Sequence, residues 1–125
     1  MYKIIKNRDS LSEWESIVPE EAKVLLVNTI IRNHLRMLVD CLDSCYGAER
    51  DLEKDLGGYI VILYGENSSK EIKKIINYHH LIEDEYECED AFFEPECKQK
   101  VTFRLYLCSS DYAVQFVIIE NVKEN

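Results

Sequence analysis

The chain has 125 residues, 46% of them hydrophobic and 31% charged, with only 4 Gly and 2 Pro. These are globular values for one domain, and they exclude a disordered chain, a long flexible linker or a repeat array. The formal charge is −9, no 18-residue apolar run occurs, and Met1–Lys6 is too short and too soon polar for a signal peptide; a membrane span and a secretory leader are therefore not expected.

Taken in chain order, Tyr2–Lys6 alternates Ile with Lys and reads as a short edge strand. Ser10-Leu-Ser-Glu13 and Ser12-Glu-Trp-Glu15 both have the capping-box form, which starts a short helix near Ser10. Leu11, Trp14, Ile17 and Val18 supply its buried side. Pro19 ends that helix and serves as the first residue of the next.

The segment Pro19–Tyr46 is expected to be one long amphipathic helix. Val24, Val27, Ile31, Leu35, Leu38, Leu42 and Cys45 step by three or four, and Leu26, Ile30, Met37 and Cys41 widen the stripe. Asn28, Arg32, Arg36, Asp40 and Asp43 take the opposite side. The run Val24–Val27 could also be read as a strand; the unbroken 3.6-residue period assigns it to the helix. Gly47 closes it, and a shorter polar helix follows over Ala48–Leu56.

Tyr59–Tyr64 is apolar at every position, the mark of a strand covered on both faces. Gly65–Ser68 turns the chain, and Ser68 or Ser69 caps a helix reaching about His80. From Glu83 the period changes to two. Phe92-Phe93 follows, then a break at Pro95. Val101–Leu107 and Tyr112–Glu120, joined by Ser109-Ser-Asp111, read as a hairpin. The order β-α-α-(α)-β-α-β-β-β gives the fold class α+β: a mostly antiparallel sheet of about four to five strands, with a long amphipathic helix and shorter helices packed on it, in a single domain over residues 1–125.

The five cysteines, Cys41, Cys45, Cys88, Cys97 and Cys108, are an odd number scattered through apolar patterns. Free thiols in a reducing cytoplasm account for them. They do not make a metal site. Cys41 and Cys45 share a helical face with His34, but seven residues of helix separate His34 from Cys41 by about 10.5 Å, too far for one zinc ion. An EF-hand loop needs Asp or Asn at its first positions and a central Gly; the acidic run opens on Glu83 and holds no Gly. The turn after the Tyr59–Tyr64 strand lacks the two-glycine spacing of a phosphate loop, and Glu66 would face the phosphates. No nucleophile signature is present, so no catalytic residue, metal or cofactor is assigned.

His79-His80 ends a helix three residues before a run of acids, where the helix dipole and the carboxylates favour the imidazolium. A small enzyme could place one of these histidines with a carboxylate and Tyr86 in a pocket beside the sheet. A homo-oligomer is a further alternative, because Val61, Val117 and Ile119 imply apolar residues on both sheet faces.

The most informative feature is charge. Eight of the fourteen residues from Glu83 to Glu96 are acidic and none is basic; the remaining 16 acids nearly balance 15 Lys and Arg. Such a block repels nucleic acid and acidic membranes and attracts a basic protein surface. In an extended strand Glu83, Glu85, Glu87 and Glu89 share one face about 6.7 Å apart. Each neighbouring pair then repels by about 0.6 kcal/mol in water, about 2 kcal/mol in all, which a folded domain tolerates. The run can thus stand as protection of an exposed edge strand, or as a partner-binding surface formed by Glu83, Glu85, Glu87 and Glu89. The expectation is a small soluble non-enzymatic protein of inhibitor, immunity or accessory type, acting through that surface on a basic protein. The Lys, Ile, Asn and Glu bias suits a bacterial AT-rich genome.

Overall fold

The computed structural model describes residues 1–46, 60–83, 90–107 and 113–122. The expected helix at 48–56, the turn at 109–111, and Glu85, Glu87, Glu89 and Tyr86 lie outside the described residues. Among the described residues six strands form one sheet: β1 (Tyr2–Ile5), β2 (Ile60–Leu63), β3 (Ile82–Glu83), β4 (Asp90–Glu94), β5 (Gln99–Leu107) and β6 (Ala113–Asn121). The order across the sheet is β1-β2-β6-β5-β3, with β4 also paired to β5. α+β is therefore the correct class. The sheet is mixed, however: β2 runs parallel to β6, and the other four pairings are antiparallel.

That parallel pair explains the wholly apolar β2. Ile60 and Ile62 join one core cluster, and Val61 and Leu63 join the other, all at 1% exposure or less. A strand covered on both faces has no polar side to show. On the first face lie α1 (Arg8–Glu15), a 3-10 turn (Glu20–Ala22), α2 (Val24–Val27) and α3 (Thr29–Tyr46). They contribute Leu11, Trp14, Ala22, Val24, Leu25, Ile31, Leu35 and Val39 against Val101, Phe103, Val117 and Ile119. On the second face α4 (Ser68–His79) brings Ile72, Ile75 and Ile76 onto Val61, Leu63, Val114, Phe116 and Ile118. Val61, Val117 and Ile119, which suggested an oligomer through an uncovered face, are buried within the chain itself.

Three sequence expectations need correction. First, α1 starts at Arg8, not near Ser10. Its cap is Asn7, whose Oδ1 accepts the Ser10 N–H at 2.9 Å while Ser10 Oγ accepts the Asn7 N–H at 3.1 Å. Asn performs the reciprocal cap that Ser and Glu were expected to make. Leu11 and Trp14 are buried as expected, but Ile17 is exposed.

Second, Pro19–Tyr46 is not one helix. A 3-10 turn and a single turn of α2 precede Asn28, whose backbone is extended (φ −100°, ψ 104°), and α3 starts at Thr29. Asn28 Oδ1 accepts the Ile31 N–H at 3.0 Å, so Asn28 ends one helix and caps the next. The break rotates the two stripes against each other. Val24, Leu25, Ile31, Leu35 and Val39 face the sheet, while Leu26, Ile30, Met37 and Cys41 are exposed. Arg36 lies against α1 instead of in open solvent: its guanidinium donates to both carboxylate oxygens of Glu15, at 3.1 and 2.5 Å.

Third, the α4 cap is Asn67, and its side chain makes no capping bond; Ser68 Oγ donates to the Gly65 carbonyl at 2.8 Å. Gly65 takes φ +93° there, a left-handed turn open to glycine. At the other end His80, also left-handed, closes α4. Its N–H and that of Leu81 reach back to Asn77 and Ile76 carbonyls.

Candidate functional site at the sheet edge

The described ends of the acidic block map to the outer side of β5. β3 brings Glu83 opposite Tyr106, and β4 sets Asp90 opposite Phe103 and Glu94 opposite Gln99. Glu83 and Glu94 are thus seven rungs of β5 apart, roughly 23 Å. An unbroken strand would advance seven rungs between Glu83 and Asp90; on β5 these two residues are three rungs apart. Among the described residues, β3 and β4 have no strand neighbour other than β5.

The described acids do not behave alike. Glu94 is half-buried and turned to the helical layer: its Oε2 accepts from Asn28 Nδ2 at 2.5 Å, and its Oε1 from the Glu96 N–H at 3.2 Å. Glu96 is exposed in the turn that joins β4 to β5. Beside them the Cys97 thiol is held above the usual thiol range, chiefly by burial, with the Glu94 and Glu96 carboxylates acting in the same sense. The two faces of β4 differ. Phe92 packs edge-on against Phe103, with ring centres 5.8 Å apart, and His34 of α3 stands edge-on to Phe103 at 4.7 Å. Ala91 and Phe93 are exposed, Phe93 at 54%.

Peptide directions along β4 follow from one bond at the far side of β5. Val122 N–H donates to the Lys98 carbonyl at 2.8 Å, which makes Lys98 and Val122 a hydrogen-bonded pair in the register that continues as Gln99 opposite Asn121. Hydrogen-bonded and non-bonded pairs alternate in an antiparallel ladder. Even-numbered β5 residues therefore bond to β6, and Gln99, Val101 and Phe103 bond to Glu94, Phe92 and Asp90. The N–H and C=O groups of Ala91 and Phe93 point away from β5.

A second concave region lies where β2, β6 and β5 meet the Gly65 turn. Contiguous recesses there are lined by Glu20, Glu21, Lys23, Cys97, Gln99 and Asn121, and by Gly65, Glu66, Ser68, Ser69 and Glu120. Gln99 organises this end. It is 3% exposed, its Oε1 accepts the Val24 N–H at 2.8 Å, and its Nε2 donates to the Glu20 and Glu21 carbonyls and to Asn121 Oδ1. With every polar atom used, the amide fastens the start of α2 to the sheet. Ser68 Oγ, which lines this region, donates to the Gly65 carbonyl.

The histidines are elsewhere. His79 is half-buried, edge-on to Tyr78, and His80 is exposed beyond the helix end; neither lines these recesses. His34 is a packing residue on Phe92 and Phe103. Among the described residues no three His, Cys, Asp or Glu side chains are grouped to hold a metal ion, and no helix is long and apolar enough to cross a membrane. Neither Gln99 nor Asn28 was singled out from the sequence as a tether. A polar Gln opening an apolar alternation, and an Asn ahead of a helical repeat, are the only signals they leave.

Comparison with known proteins finds no matching family model, and no curated protein or solved structure that is significantly similar.

Proposed function

We propose that the protein is non-enzymatic and acts in the cytoplasm by contact with a basic protein, through the acidic block that includes Glu83, Glu85, Glu87 and Glu89. One observation supports this reading most: nearly all of the net charge is concentrated in Glu83–Glu96, and the described ends of that block both lie on the outer side of β5. A concentrated negative potential draws in a cationic surface over about a Debye length, roughly 8 Å at physiological salt, and orients it before contact.

Pull-down from the native cytosol tests the proposal, with the wild type compared to the variant in which Glu83, Glu85, Glu87 and Glu89 are all changed to Gln. The expected outcome is a basic partner captured by the wild type, lost from the variant and released by salt. Identical, salt-insensitive capture by both proteins rejects the reading.

A further inference from the structure

We infer that the outer edge of β4 takes up an extended Lys- or Arg-bearing segment of the partner as an additional strand, an assignment that rests on the basic-partner reading above. Strand addition needs peptide groups directed away from the sheet, and the ladder supplies them at Ala91 and Phe93. Their side chains are exposed, so the approaching backbone meets a methyl group and an aromatic ring on one face. Phe92 holds the other face against Phe103, and the Glu94–Asn28 bond fixes the strand's end to the helix break. The strand is therefore anchored before anything docks.

Edges of this kind are commonly guarded by a lysine, a proline or a bulge. Ala91 and Phe93 carry none of these, and β4 pairs with β5 in unbroken register. The block that runs into this edge is acidic in the sequence from Glu83 to Glu96, and the cation facing β4 along the described register is Lys100, opposite Phe93. Like charge discourages a second copy of β4 from pairing with the first, whereas a cationic strand meets attraction at the same place. Main-chain bonds would supply affinity, and alternate side chains the specificity. The opposite edge, β1, carries exposed Lys3; pairing of β1 with β4 of another copy is the competing occupant.

The test uses the full chain and a nine-residue peptide alternating Lys and Val, alongside the same peptide N-methylated at alternate residues. N-methylation leaves the charge and removes the donors that a strand would offer. The expected result is salt-sensitive binding of the plain peptide, at least about tenfold weaker binding of the methylated one (a lost backbone bond is worth about fivefold), and slowed amide exchange at Ala91 and Phe93 in the peptide complex. Ala91→Pro removes an outward donor without touching the β5 ladder. It is expected to weaken binding about fivefold at an unchanged melting temperature; if it unfolds, the methylated peptide and the exchange data decide alone.

Equal, salt-sensitive binding of both peptides with no protection at Ala91 and Phe93 overturns strand addition and leaves the basic-partner reading standing. Absence of binding by either peptide overturns both. Protection of these amides in the protein alone, with concentration-dependent dimers in sedimentation, assigns the edge to β1 of a second copy and rejects the proposal.

Discussion

β2 and β4 are strands of similar length in one sheet, built on opposite rules. β2 has four residues, each at 1% exposure or less, in two different clusters. β4 begins and ends with an acid, shows Phe93 to solvent and rests on one neighbour among the described residues. The interior strand is held by dispersion and exclusion of water on both sides. The outer strand is held, among the described residues, by one ladder, the contacts of Phe92 with Phe103 and His34, and the Glu94–Asn28 bond. Stability is concentrated in the first region, and the second is where the proposed partner strand would add.

Truncation of the interior should have the largest effect. Phe116 of β6 is fully buried and edge-on to Tyr106 at 5.2 Å. Phe116→Ala is expected to lower unfolding free energy by about 3–5 kcal/mol in urea titration. A loss below about 1 kcal/mol would mean that the second face is not the packed layer described. Gln99→Leu follows, at about 2–3 kcal/mol, because it leaves the buried Val24 N–H without an acceptor. Asn28→Ala removes the cap of α3 and the tie to Glu94 together, and about 1 kcal/mol is expected by the same titration.

Much of this contrast was legible in the residues. Tyr59–Tyr64 has no polar alternation, and that alone placed it between other strands. The hairpin partners and the edge position of β1 followed from period-two patterns. The parallel pairing of β2 and β6 was not legible, because an all-apolar strand reads the same in either direction. The break at Asn28 was hidden for a different reason. Apolar residues continue through it in helical spacing, and a single Asn side chain that caps the helix after it looks, in sequence, like a polar residue on the solvent side. Of the acidic block, the charge was legible. The inward turn of Glu94 was not, since it depends on an Asn 66 residues away.

Two smaller effects sharpen the comparison at its outer end. Cys97 should need a higher pH than a free cysteine for half-maximal alkylation, because burial and two carboxylates disfavour its thiolate. The sign for stability follows. With the folded-state pKa raised, the contribution is fully present below the unfolded thiol's pKa and is lost as pH rises through the folded value. Peptide mapping after iodoacetamide treatment separates Cys97 from exposed Cys41; simultaneous labelling of the two at neutral pH would contradict the burial. Phe93→Thr should change stability by less than about 0.5 kcal/mol, since the ring is more than half exposed and Thr suits a strand. A larger loss would move Phe93 from the outer surface into the core.

The parallel neighbour of β2 has a temporal consequence. Ile60–Leu63 leaves the ribosome about fifty residues ahead of Gln115–Ile118, the stretch it must pair with. Until β6 emerges, four of the most water-averse residues in the protein have no wall on that side, so the core closes late, around a strand that has waited while about fifty further residues were added.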